Sequence, residues 1–270
     1  TIAFGYKKLL TKWALATDKE NVGFVDFQAH DFSMRGLDSV DATIASGLGH
    51  LTSFKGTDSL PAIIGARQYY NATGFVAGSV PASEHSVMCA GGKESEIETF
   101  RRLLKTFAKA PVLSVVSDTW DLWKVVGPGG YVAQLKEEIL AGNTKLVIRP
   151  DSGDPVDIIC GIDNNNVTGV REKCTYDEYV KVMEKPVSLN EFKGVIELLW
   201  DIFGGTINEQ GYKVLHPKIG AIYGDSITLE RAEAICSRLA AKGFASTNTV
   251  LGIGSYTYQF NTRDTFGLSH

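Results

Sequence analysis

Six ionisable side chains stand just past the ends of short apolar or β-branched runs: Asp31, Asp58, His85, Asp118, Asp151 and Asp225. Five carboxylates and an imidazole on one surface need cations, and the same segments carry Arg35, Lys55 and Arg149. Taken singly, each Asp reads first as a helix cap or an Asx turn. That reading weakens when all of them fall at corresponding places along the chain.

The neighbouring residues narrow the chemistry. In 148–154, Ile-Arg-Pro-Asp-Ser-Gly-Asp, an arginine fork beside an aspartate can hold a planar polar group and a sugar diol together. Alone, the run also reads as a salt-bridged turn. Tyr223-Gly224-Asp225-Ser226 precedes a helical pattern, so its backbone N–H groups and the helix start form an anion site. Gly252-Ile253-Gly254-Ser255 makes a second glycine-lined turn with Arg263 a few residues on, and two such turns suit one phosphate. No G-x-G-x-x-G opens an early helix and no G-K-[ST] occurs, which excludes the dinucleotide and Walker A loops. Phe32, between Asp31 and Arg35, offers a stacking face for a flat ligand, although a lone Phe also reads as core. His85 lies among small polar residues that leave it accessible, whereas His30, His50 and His216 read as structural and His270 stands at the chain end.

The elements that must position these groups follow from the same runs. Apolar segments at 24–30, 51–55, 75–80, 112–117, 145–149, 219–223 and 249–253 read as strands, with end residues 31, 58, 85, 118, 151, 225 and 254. The intervals are 27, 27, 33, 33, 74 and 29 residues, about one β-α unit each, with the longest about two. Helical spacing occupies 4–16, 60–70, 93–109, 130–141, 190–203 and 228–242. Strands alternating with helices predict a parallel sheet closed into a β/α barrel, with all strand ends opening into one bowl. The opening helix over 1–20 precedes this beat, and 160–190, which includes Asn164-Asn165-Asn166, reads as an excursion or lid.

Composition sets the outer bounds. The 270 residues are 44% hydrophobic and 21% charged, and no apolar run reaches the roughly 20 residues of a membrane span. A formal charge of −4 gives no basic footprint for nucleic acid or anionic lipid. Cys89, Cys160, Cys174 and Cys236 form no C-x-x-C pair, so reduced thiols and a cytoplasmic location are expected. Glycine, at 28 residues, is above its usual share of about 7%. Thr1 leads directly into a helical pattern and 266–270 stops without a cap, so the chain reads as part of a longer polypeptide.

Seven collinear motifs carry a family resemblance: HDFSMRG at 30–36, FKGTDS at 54–59, SVPASEHS at 79–86, SVVSDTWD at 114–121, IRPDSGDP at 148–155, YGDS at 223–226 and GIGSYTYQFNTRDTFG at 252–267. The series resembles the nicotinamide phosphoribosyltransferases, and the GIGSYTYQ stretch is similar to the bacterial or phage type. The resemblance implies an irregular α/β barrel of the type II phosphoribosyltransferase kind over 1–270, working as a homodimer with active sites at the subunit interface. It implies condensation of nicotinamide with phosphoribosyl pyrophosphate to nicotinamide mononucleotide and pyrophosphate in NAD biosynthesis, with Mg²⁺ held through pyrophosphate and ATP as a coupled substrate. By motif position, Phe32 is similar to the ring that stacks on nicotinamide and Asp58 to the acid that accepts from its carboxamide. Arg149 would face the amide or ribose. Arg35, Ser79, Ser114, Asp118 and Asp151 would surround the ribose and pyrophosphate, while Gly224, Asp225, Gly254, Ser255 and Arg263 resemble the 5′-phosphate cradle. His85 resembles the histidine phosphorylated by ATP, and with Asp118, Arg149 and Asp151 makes the expected catalytic set. Ser255 replaces a glycine of the animal pattern, and the family's N-terminal region, which supplies a second stacking aromatic to a neighbouring site, and its C-terminal region have no counterpart here. A nicotinate phosphoribosyltransferase, or a non-catalytic fragment acting as a binding module, are the alternative readings.

Overall fold

The computed structural model describes residues 1–162, 175–177, 187–224 and 226–258. In chain order the strands are β1 (Ala29–Asp31), β2 (Gly56–Thr57), β3 (Val112–Val116), β4 (Lys145–Arg149), β5 (Gly205–Ile207), β6 (Lys213–Leu215), β7 (Ile219–Tyr223) and β8 (Thr249–Ile253). Six of them form one parallel sheet in the order β2-β1-β8-β7-β4-β3. Its two edges are joined by 78–83: Gly78 accepts from Thr57 N and donates to Lys55 O, while Ser114 N donates to Pro81 O and Ser83 N to Ser114 O. The sheet thus curls into an irregular α/β barrel, with its narrowest wall made of single bridges.

Burial on both faces explains why the strands read as continuous apolar runs. Leu113, Val115, Leu146, Ile148, Leu251 and Ile253 are all inaccessible to solvent. Outside the sheet, the helix Ile2–Thr17 buries Tyr6, Leu10 and Ala14, donates from Tyr6 Oη to Ile227 O at 2.6 Å, and ties Trp13 Nε1 to Glu233 of the helix Leu229–Ala241 at 2.9 Å. No helix among the described residues is long and apolar enough to cross a membrane.

Four expectations are corrected. The run at 75–80 forms no strand, only the single bridge of Gly78 to Gly56. The run at 24–30 is largely helical, in Lys19–Phe24 and Val25–Gln28, leaving β1 only three residues, because Val25 and Gln28 turn inward at helical spacing. The run at 51–55 is the end of the helix Val40–Leu51, whose start Ser39 caps through Ala42 N, followed by a turn into β2. The interval after Asp151 holds, besides the expected helix, which runs over Leu189–Phe203, the helix Pro155–Cys160 and an antiparallel hairpin, β5 with β6. Most of the expected excursion at 160–190 lies outside the described residues.

His50, at the end of the helix Val40–Leu51, ties that helix to the barrel. Its Nε2–H donates to Gly56 O at 2.8 Å, so Nδ1 is the lone-pair nitrogen and accepts from Tyr258 Oη at 2.6 Å. Burial lowers its pKa to about 4, reinforced by His30 and opposed by Asp31 and the Gly56 carbonyl. A depressed folded-state value means that the unfolded chain takes up the proton first, so stability held above the ordinary histidine value is lost as pH falls from about 6.5 towards 4. Thermal melts across that window should show close to one proton taken up on unfolding. His50→Leu should flatten that dependence, and an unchanged pH slope in the variant would contradict it.

Candidate active site

The C-terminal ends of the parallel strands all open on the same face. There Phe32, Met34, Arg35, Asp58, Glu84, Arg149, Asp151 and Gly224 line a cavity of about 340 Å³. Five residues expected there from sequence, Phe32, Arg35, Asp58, Arg149 and Asp151, are thus brought together with Gly224 of the expected cradle.

On one side, β1 delivers His30 and the turn after it delivers Phe32, whose ring lies 4.7 Å from the imidazole, centroid to centroid. His30 Nε2 is 2.8 Å from Asp58 Oδ1, and Ser79 Oγ donates to the same oxygen. Among the described residues Oδ2 carries no hydrogen bond, which leaves it as an acceptor towards the cavity. Burial raises the Asp58 pKa, but the hydrogen bond and charge of His30, the Ser79 hydroxyl and the charge of Arg149 outweigh it, and the net shift is downward. Asp58 is therefore ionised throughout the neutral range.

The opposite wall is built on β4. Arg149 is buried, its Nη2 donates to Ser83 O at 2.6 Å, and its Nε has no hydrogen-bond partner among the described residues. Glu84 faces it from the segment that bridges the barrel edges, with Oε1 3.7 Å from Arg149 Nη2 and Oε2 3.8 Å from Arg35 Nη1.

Beyond β4 the chain turns sharply. Asp118 Oδ2 accepts from Asp151 N at 2.7 Å, from Ser152 N at 2.8 Å and from the Ser152 hydroxyl, pinning this turn to the end of β3. Gly153 adopts φ +92°, and its carbonyl accepts from Tyr223 Oη at 2.8 Å. Burial drives the Tyr223 phenol pKa well upward, assisted by Asp118, Asp151 and Asp154, so the phenol remains a donor. At Gly224 a Cβ would collide with Asp151 Oδ1, so only glycine lets that carboxylate approach the backbone.

His85 begins the helix His85–Ala90. Its Nδ1 meets Thr119 Oγ1 at 3.0 Å, while Nε2 faces Asp151 Oδ2 at 3.7 Å and Asp118 Oδ1 at 4.0 Å. Asp118 Oδ1 is buried without a hydrogen-bond partner among the described residues. The imidazole is thereby presented to two carboxylates and remains partly accessible.

Other expected site residues fall elsewhere. Ser114 is buried within β3 and does not line the cavity. Gly254 follows the last residue of β8, and Ser255 starts the short helix Ser255–Tyr258 against Gly36. A second cavity of about 400 Å³ opens between that turn and the start of the helix Leu229–Ala241, lined by Ser226, Thr228, Arg231 and Tyr256. Asp225 and Arg263 lie outside the described residues.

The bowl of five acids is also corrected. Asp31 is fully buried and its carboxylate accepts from Ser33 N at 2.9 Å, an Asx turn rather than a cavity wall. Asp154 caps the helix Pro155–Cys160 through Val156 N and Asp157 N. Lys55 pairs with Asp26 at 2.8 Å, away from the cavity. The sequence reading gave Met34, Glu84 and Thr119 no role in the site; the one legible signal was a carboxylate immediately before the accessible histidine.

The structure is a parallel α/β barrel with arginine, carboxylate and imidazole side chains gathered at its C-terminal strand ends, the face on which barrels of this kind carry their sites. The profile of the nicotinate phosphoribosyltransferase (NAPRTase) family matches residues 27–270, and the chain belongs to that family. It is 51% identical over 275 residues to the nicotinamide phosphoribosyltransferase of Acinetobacter baylyi, covering 100% of this chain and 50% of that protein. The proteins of the same name from Mycoplasma pneumoniae and Xanthomonas campestris pv. campestris are 41% and 33% identical, covering 99% and 98% of this chain and 51% and 49% of theirs. The chain spans about half the length of the curated relatives it matches.

Proposed function

We propose that the chain supplies the catalytic bowl of a nicotinamide phosphoribosyltransferase, which makes nicotinamide mononucleotide and pyrophosphate from nicotinamide and phosphoribosyl pyrophosphate. The observation that carries the reading is the convergence of an aromatic face, an ionised carboxylate and two guanidiniums on one cavity. Phe32 stacks the pyridine and Asp58 Oδ2 accepts its amide N–H. Asp151 takes the ribose hydroxyls, and Arg35 with Arg149 takes the pyrophosphate.

Displacement at the anomeric carbon passes through a transition state with oxocarbenium character. Asp151 is placed to stabilise that developing positive charge, and the arginines the negative charge on the leaving group. The pyridine nitrogen attacks with its own lone pair, so no residue need act as general base.

The reading includes Mg²⁺, ATP, a homodimer and a cytoplasmic enzyme of NAD biosynthesis. Among the described residues no three His, Cys, Asp or Glu side chains are grouped as metal ligands. In this reading magnesium would be held mainly by pyrophosphate oxygens, with Asp118 Oδ1, buried without a hydrogen-bond partner among the described residues, as the protein donor. Bound there, the ion would neutralise charge on the leaving pyrophosphate. His85 Nε2 is the proposed acceptor of the ATP γ-phosphoryl group, with ADP as leaving group.

The native-length protein, given nicotinamide, phosphoribosyl pyrophosphate and MgATP, should release pyrophosphate and nicotinamide mononucleotide in equal amounts. A protein that uses nicotinate instead would overturn the amide assignment. Asp58→Asn removes the charge that repels nicotinate, and should lower the nicotinamide-to-nicotinate ratio of kcat/KM by about 10- to 100-fold. An unchanged ratio would remove Asp58 from the specificity role.

A further inference from the structure

Between the two cavity arginines stands Glu84, which falls at a strand end in sequence but is given no role by the strand-end pattern or the family resemblance. Each of its carboxylate oxygens faces a different guanidinium, at 3.7 Å and 3.8 Å. Its backbone is fixed, extended at φ −113° at the cap of the helix His85–Ala90, and the preceding Ser83 is hydrogen-bonded into the barrel wall. Its side chain is 57% exposed. Arg149 does not depend on Glu84 for its position, because Ser83 O holds Nη2 at 2.6 Å. Arg35 has no other ion pair among the described residues. An exposed carboxylate at these distances binds weakly and yields to a stronger anion.

We propose that Glu84 is an internal counter-anion for Arg35 and Arg149, competing with pyrophosphate for both guanidiniums and so setting how tightly pyrophosphate is held and how readily it leaves. The proposal rests on the transferase reading. A site built only of arginines would hold the pyrophosphate product as strongly as the donor, and slow release would then limit turnover. A tethered carboxylate weakens both by competition and refills the gap as the product departs.

The test is calorimetric titration of inorganic pyrophosphate into the native-length protein without magnesium. Glu84→Gln, and Glu84→Ser as a second variant, should bind pyrophosphate about three- to tenfold more tightly than wild type, with the gain shrinking as salt rises. Equal or weaker binding in both variants overturns the counter-anion role. Absence of pyrophosphate binding in wild type and variants alike overturns the proposal and the transferase reading together. Binding by wild type with no gain in the variants overturns the role of Glu84 alone.

Discussion

Arg149→Ala is expected to lower kcat/KM for nicotinamide mononucleotide formation by about a thousandfold or more, the largest loss of any single substitution in the cavity. The guanidinium is buried, lines the cavity and has one arm fixed on Ser83 O at 2.6 Å, so it is held in place before any ligand arrives. A preorganised donor to developing negative charge is worth about 10²–10³ in rate, and an arginine on a phosphoryl group about 10³–10⁵. Truncation also leaves the Ser83 carbonyl without that donor and Glu84 without one of its two cations, so the melting temperature should fall as well. Arg149→Lys separates the effects: it restores charge but not the fork, and should keep stability while losing about 100-fold in kcat/KM. Steady-state kinetics with thermal melts of both variants checks this, and a fully active lysine variant would contradict it.

His85→Ala is expected to abolish acid-labile phosphate labelling from ATP, together with the ATP stimulation of turnover. Its Nδ1 is occupied by Thr119 Oγ1, which leaves Nε2 as the reactive nitrogen, and Nε2 points at Asp118 and Asp151. Two carboxylates stabilise the positive charge that builds on the ring as its nitrogen attacks phosphorus. Phosphorylation at that nitrogen would set a dianion against the same acids, a strained arrangement that new counter-ions or pyrophosphate release can relieve. Labelling with [γ-³²P]ATP followed by acid and alkaline treatment reads the result directly. Label that survives His85→Ala would remove the histidine from this role.

Much of this arrangement was legible because β/α repetition leaves two traces, an apolar run and a polar residue at its end. β3, β4, β7 and β8 follow the expected runs to within a residue, since strands buried on both faces read as unbroken Val, Leu and Ile. The barrel's thin side was harder. β1 and β2 are three and two residues long, and 78–83 closes the wall through isolated bridges, lengths at which apolar spacing carries almost no information. The helix Val40–Leu51 escaped because Ala, Thr, Ser and Gly give it little apolar contrast, although Ser39 is a good cap.

The aspartates teach the same lesson at the site. Asp31 and Asp58 look alike in sequence, yet Asp31 turns back on Ser33 N two residues ahead, while Asp58 is held by His30 and Ser79 from other segments and keeps an oxygen for the cavity. The difference is set by long-range neighbours, which spacing does not report. The role of Glu84, though not its place at a strand end, was hidden for a related reason: its meaning depends on two arginines more than 45 residues away on either side of it in the chain.

The central claim is that one bowl at the strand ends receives the pyridine, the ribose and the pyrophosphate together. A crystal structure of the native-length protein with nicotinamide mononucleotide and pyrophosphate tests it most directly. The pyridine should lie on Phe32 with its amide on Asp58, the ribose hydroxyls on Asp151 and the pyrophosphate between Arg35 and Arg149, with Glu84 swung away. Product bound at any other surface, with this cavity left to solvent, would contradict the account.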